Sequence, residues 1–158
     1  MKELKITSKA FEHGGWIPQR YSGYGENISP PIMIEGIVKS AVSMVITLDD
    51  LDHPLFSNFN HWIAWNLKPT NIIPEGLPKG AVIEYPIYLE QGVAYGKHCY
   101  RGPKPPFNWK HDYLFTIYIL DIQLTASTKS NKKAILNEIK GHILQKGVLK
   151  GTFQKSPS

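Results

Sequence analysis

The apolar residues of this chain fall into short runs, cut by proline or glycine about every 10 to 20 residues. That rhythm predicts many short strands rather than a few long helices. The expected strands are Leu4 to Thr7, Ile32 to Glu35, Ala41 to Leu48, His61 to Leu67, Val82 to Glu84, Tyr113 to Ile122 and Val148 to Phe153. The sixth alternates most cleanly. Tyr113, Phe115, Ile117 and Ile119 share one face, and Leu114, Thr116, Tyr118 and Leu120 share the other. Both faces are largely apolar, so this strand is expected to be central and covered on both sides.

A period of 3.6 occurs once. Ile135, Leu136, Ile139, Ile143 and Leu144 make one apolar stripe and predict a helix from about Lys132 to Gln145, with Ser130 as its N-cap and Gly147 as its stop. Pro69 and Pro74 favour a loop over the intervening residues. Seven strands and one late helix predict a mainly β, antiparallel sandwich or barrel, with the helix peripheral and over a sheet edge.

Composition narrows the class. The 158 residues suit a single domain, 1–158, with 42% hydrophobic and 11% aromatic residues, an ordinary globular balance. The longest mostly apolar run, Ala41 to Leu48, is far short of the ~20 residues of a membrane helix. The opening MKELKITSKAF has no apolar stretch of signal-peptide length, so a cytoplasmic location is expected. A lone cysteine, Cys99, suits a reducing compartment and reads more simply as structural than reactive. The formal charge of +5 favours anionic partners without naming one. The lysine cluster from Lys129 to Lys133 reads as a solvated helix start, so nucleic acid is not an expected partner.

Chemistry concentrates in two loops. DDLDHPLFSN, from Asp49 to Asn58, separates two apolar runs, and the second run opens on His61. If those runs are antiparallel neighbours, Asp50, Asp52 and His61 share an edge. Carboxylates beside an imidazole can fix its tautomer and keep it protonated near neutral pH, a good arrangement for phosphate. The same acids could simply form Asx turns ahead of Pro54, with His61 an ordinary strand residue; spacing alone leaves both readings open. The second loop, GKHCYRGPKPPFNWKHDY, adds Gly102, the stiffening Pro103, Pro105 and Pro106, and His111 at the mouth of the next strand. Asp50, Asp52, His53, His61, His98 and His111 include ligand types for zinc, but no H-E-x-x-H or Cys pair organises them, and no metal or cofactor is expected. Ser22, Ser29 and Ser57 lack a nucleophile-elbow context.

The loops also carry a resemblance. Asp50-Leu51-Asp52-His53-Pro54, His61 to Asn66, and Tyr100 to Pro106 followed by His111-Asp112-Tyr113 stand in order, with fainter echoes at Asn27 to Pro31 and Gly151 to Phe153. On these blocks the chain resembles the phosphatidylethanolamine-binding proteins over nearly its whole length, most closely their compact prokaryotic branch. The resemblance implies a two-sheet antiparallel β fold with an anion pocket at one rim. It implies that Asp50, His61, Lys104, His111 and Tyr113 bind the ligand, while Asp52, Pro54, Gly102 and Pro105 shape the pocket. Two positions depart from the family pattern: Leu51 replaces a proline, and Asp112 replaces an arginine. The latter puts an acid beside His111, expected to weaken anion binding or to raise the pKa of His111.

The function implied is non-enzymatic recognition of a small anion or phosphorylated head group, modulating a protein partner. An inhibitor of a kinase or serine protease is the alternative, and a metal-dependent hydrolase a more distant one. Stable membrane insertion is not expected. A homodimer is compatible with these readings.

Overall fold

The protein was analysed as a computed structural model that describes residues 3–155. In chain order its elements are β1 (Lys5–Thr7), β2 (Gly15–Trp16), one turn of 3-10 helix (Gln19–Tyr21), β3 (Ile32–Glu35), β4 (Ser43–Asp50) and β5 (Phe59–Leu67). There follow β6 (Ile72–Ile73), β7 (Val82–Ile83), β8 (Leu89–Gln91), β9 (His111–Leu120), α1 (Lys132–Glu138) and β10 (Ile143–Phe153). Two sheets result. A three-stranded sheet has the order β1-β3-β6, and a seven-stranded sheet the order β2-β10-β9-β4-β5-β8-β7.

The strand with two apolar faces is indeed interior. β9 lies between β10 and β4, and its two faces feed two cores. Tyr113, Phe115, Ile117 and Ile119 join Met44, Ile46, Leu48, Trp62, Ile6 and Ile34 in the core between the sheets. On the outer face, Leu120 packs with Val45, Ile63 and Trp65 beneath Ile135 of α1 and Ile139 at its C-cap. Burying each such side chain contributes about 1.5 to 3 kcal/mol. β4 has no exposed residue along its eight positions, as befits a strand paired and covered on every side.

Several sequence-based expectations need correction. The helix ends at Glu138, not near Gln145: Gly141 at φ 81° turns the chain, and Ile143 and Leu144 enter β10. β10 then runs antiparallel to β9 from Ile143 opposite Leu120 to Phe153 opposite His111. The backbone of the long β9 needs partners on that side, and this ladder outweighs a local helical stripe. Gly147 is therefore no helix stop; it lies within β10, where a Cβ would sit 2.7 Å from Ile6 Cγ1. The N-cap is Asn131, whose Oδ1 accepts from the Ala134 N–H at 3.0 Å, rather than Ser130. The helix also covers the outer face of the large sheet instead of an edge. Finally, the antiparallel pattern has one parallel exception, β2 against β10, with Gly15 opposite Gly151 and Trp16 opposite Thr152. β2, β6 and β8, two or three residues each, are too short for periodicity to detect.

Candidate functional site

One end of the large sheet gathers the chemistry. β4 ends on Asp50, β9 begins on His111, and His61 lies near the start of β5, so antiparallel pairing brings all three to the same rim. Asp50 stands opposite Phe59 on one side and Tyr113 on the other. Between Leu48 opposite Trp62 and Asp49 opposite Asn60 the register slips, leaving His61 as the extra residue of a β-bulge. A bulge re-aims its side chain. Here it lets His61 join the inward face next to Trp62, with its ring 5.6 Å from the Tyr113 ring.

The three side chains are almost fully buried, and each is held by a named contact. Asp50 Oδ2 accepts from His111 Nδ1 at 2.8 Å, while Asp50 Oδ1 accepts from the Asp52 N–H at 2.8 Å. His61 Nδ1 donates to the Arg101 carbonyl at 2.9 Å. In both rings Nδ1 must carry a proton, because a carboxylate or carbonyl can only accept. His111 Nε2 is left without a protein partner among the described residues. Burial, the largest influence, pushes His61 below the usual imidazole range, outweighing the hydrogen bond it donates to the Arg101 carbonyl and the charge of Asp50. The expectation that nearby carboxylates keep this imidazole protonated near neutral pH therefore fails for His61, because desolvation wins.

Tyr113 is fully buried, and its hydroxyl has no hydrogen-bond partner among the described residues. Burial first, then the charge of Asp50, raises its pKa, so it remains an O–H donor across the accessible pH range. This hydroxyl belongs to a residue lining a pocket of about 240 Å³. Asp50, His61 and His111 share the lining; Pro54 contributes on one side, and Lys104 and Pro105 on the other. The Lys104 ammonium lies 5.7 Å from the centroid of Tyr24.

Asp52 and Gly102 are placed differently. Asp52 Oδ2 accepts the Asp112 N–H at 2.6 Å and so ties the turn after β4 to β9, outside the pocket lining. Gly102 stands behind the wall: its N–H donates to Asn27 Oδ1 at 2.7 Å, and a Cβ there would lie 1.9 Å from the Tyr21 carbonyl oxygen. Asp112 points away from the pocket. Its carboxylate accepts from Thr152 Oγ1 at 2.7 Å and pairs with Lys150 at 3.3 Å, and the Thr152 hydrogen bond, ahead of Lys150, lowers its pKa.

Leu55 and Tyr95 line the pocket without having been singled out in the sequence; His53, weighed there only as a metal ligand, and Pro106, weighed as a stiffening residue, line it too. Tyr95, at φ 57° before Gly96 at φ 68°, forms a tight turn that brings its ring 5.1 Å from His61. The dipeptide Tyr-Gly was the available signal. His53 accepts the N–H groups of Leu55 and Phe56 on Nδ1 and stacks on Phe59 at 4.4 Å. Among the described residues no three His, Cys, Asp or Glu side chains gather so as to hold a metal ion, and no helix is long and apolar enough to cross a membrane.

Comparison with known proteins agrees with this architecture. The family model described as phosphatidylethanolamine-binding protein matches residues 7–154. A UPF0098 protein of Archaeoglobus fulgidus is 42% identical over 155 residues, covering 98% of this chain and 52% of that protein, so the chain spans about half the length of this relative. A UPF0098 protein of Pyrococcus abyssi is 39% identical over 98% of this chain and 87% of its own length. The crystal structure of a phosphatidylethanolamine-binding protein homologue from Chlamydia trachomatis superposes with a TM-score of 0.87 at 33% identity, covering 99% of this chain and 100% of that one.

Proposed function

The chain belongs to the phosphatidylethanolamine-binding protein family, and from that premise we propose that it is a non-enzymatic binding module whose rim pocket takes a small oxyanion: phosphate, or the phosphate of a phosphorylated head group. The observation that carries this reading is the Tyr113 hydroxyl, a buried donor without a partner beside two imidazoles. An unpaired buried donor costs about 1 to 3 kcal/mol, a cost an accepting ligand removes. In this reading the ligand oxygens accept from Tyr113 O–H and from Nε2 of His61 or His111 where that ring is doubly protonated. Lys104 supplies charge from the open side. Asp50 does not contact the anion; it holds His111 through Nδ1 and offsets the positive charge of a protonated ring.

Calorimetric titration with inorganic phosphate and with phosphoethanolamine tests the reading. Saturable heat is expected from both, and binding about tenfold weaker in Tyr113→Phe and in His61→Ala, the size of one lost charge-assisted hydrogen bond. Absence of heat with wild-type protein, or equal affinity in all three proteins, sinks it.

A second reading rests on the pocket's rim. Leu55 is 79% exposed and Phe107 74%, each large, apolar and carried on a loop that helps form a pocket wall. Such collars favour a protein partner docking across the pocket, in the manner of an inhibitor of a kinase or serine protease. It requires that Leu55→Ser with Phe107→Ser abolish capture of a partner from native lysate while phosphate binding persists.

A further inference from the structure

A second cavity, of about 200 Å³, shares no lining residue with the rim pocket. Its lining includes Asn27, Lys79, Lys97, Cys99 and Arg101, three cations without an acid. Among the described residues none of the three cations has a carboxylate within 4.0 Å. Two acids near the lining residues in sequence are committed elsewhere. Glu26 pairs with Arg20 at 3.4 Å, and Glu75 pairs with Arg20 at 3.1 Å while accepting from the Tyr21 hydroxyl.

These cations stand on a stapled frame. The side chain of Gln91, fully buried, reaches the carbonyls of Pro78 at 3.1 Å, Gly80 at 2.8 Å and His98 at 3.3 Å. Gln91 Oε1 accepts from Trp62 Nε1 at 2.8 Å, and the Gln91 carbonyl accepts from His98 Nδ1 at 2.8 Å. The Gly80 N–H closes the frame on the His98 carbonyl at 2.9 Å. One buried amide thus fixes the loop carrying Lys79 against the loop carrying Lys97 and Arg101. Lys97 is further held by reciprocal backbone bonds with Ala94. Arg101 lays its guanidinium 4.5 Å from the Tyr95 centroid, a contact that satisfies its charge in part and occupies none of its N–H groups with a carboxylate. Asn27 Oδ1 is taken by the Gly102 N–H, which leaves its amide nitrogen as a donor.

We propose that this cavity is a second anion site, taking a phosphate-class oxyanion. Two lysines, an arginine and an asparagine share the lining, a set of donor side chains that suits a multi-oxygen anion better than a halide. Bringing three like charges to one cavity is unfavourable until a counter-charge arrives, and a frame that prevents the loops from separating makes an anion the means of relief. The site does not depend on the reading of the rim pocket, although Arg101 joins them: its carbonyl holds His61, its guanidinium lies over Tyr95 of the rim pocket, and the residue lines the second cavity.

Two-dimensional NMR of the full chain, titrated with inorganic phosphate at constant ionic strength against chloride as control, tests the proposal. The Gly80 and Cys99 amides are expected to saturate with phosphate and not with chloride, along a curve separate from that of the Leu51 and Asp52 amides at the rim pocket. In the Lys79→Gln/Lys97→Gln protein, that curve is expected to weaken about tenfold while the Leu51 and Asp52 curve is unchanged. An equal response to chloride, an unchanged curve in the double variant, or joint loss of both curves in Tyr113→Phe overturns the second site. Saturation at Gly80 with none at Leu51 supports it and sinks the rim-pocket reading instead, so the two failures are distinguishable.

Discussion

Asp50 Oδ2 and His111 Nδ1 lie 2.8 Å apart, both residues at most 5% exposed, and the contact joins the last residue of β4 to the first of β9. The same carboxylate caps the following turn through its other oxygen. One side chain therefore sets both the orientation of an imidazole and the path of the loop beside it.

Replacing Asp50 by Asn keeps the shape but removes the charge and one acceptor oxygen. Loss of about 1 to 3 kcal/mol is expected, read as a lower denaturant midpoint with an unchanged slope. Phosphate affinity should fall as well, since His111 is no longer held. A midpoint equal to wild type would show that the contact is dispensable.

His61 carries a pH dependence whose sign is definite. Its folded pKa lies below the unfolded value of 6.5, so between those two values the unfolded chain binds more protons. The contribution to stability is full above pH 6.5 and declines as pH falls from 6.5 through the folded pKa. Thermal melts from pH 8 down to about pH 4 should show that decline, and His61→Gln should flatten it. Anion binding has the opposite slope: an anion favours the protonated ring, so affinity should rise as pH drops below 6.5. Sulfate is the suitable probe, being itself dianionic throughout. Sulfate affinity that falls on acidification contradicts the assignment.

Asp112, which the sequence alone puts beside His111, faces Thr152 and Lys150 on the other side of β9. Asp112→Asn is expected to change phosphate affinity less than about twofold and stability by less than about 1 kcal/mol, as for an exposed pair. A tenfold gain in affinity would mean that its charge reaches the pocket after all.

Gly102→Ala should be costly although Gly102 binds nothing itself. The new methyl would stand 1.9 Å from the Tyr21 carbonyl oxygen, so the 3-10 turn or the Arg101–Gly102 backbone that holds His61 must move. A loss of about 2 kcal/mol or more is expected, in the range of overpacked interiors. A parallel Gly76→Ala, where φ is 72° but space is open, should cost only the backbone strain, about 1 kcal/mol.

Much of this protein was legible in its sequence. Period-two alternation located the long strands, because it records which side chains must leave water, and burial is a property each residue carries along the chain. The blocks around Asp50, His61 and His111 likewise lay at strand ends that antiparallel pairing brings to one rim. Tertiary structure decided what depends on partners distant in sequence. Ile143 and Leu144 left a helical stripe because β9 required a ladder. His61 became a bulge residue whose depressed pKa reflects burial beneath strands from elsewhere. Asp112 turned outward because β10 offered Thr152 and Lys150. Tyr95 and Gln91, silent in the sequence, became a pocket wall and a loop staple. Hydrogen bonds and desolvation are settled only when the groups that share them meet, and local pattern holds no record of that meeting.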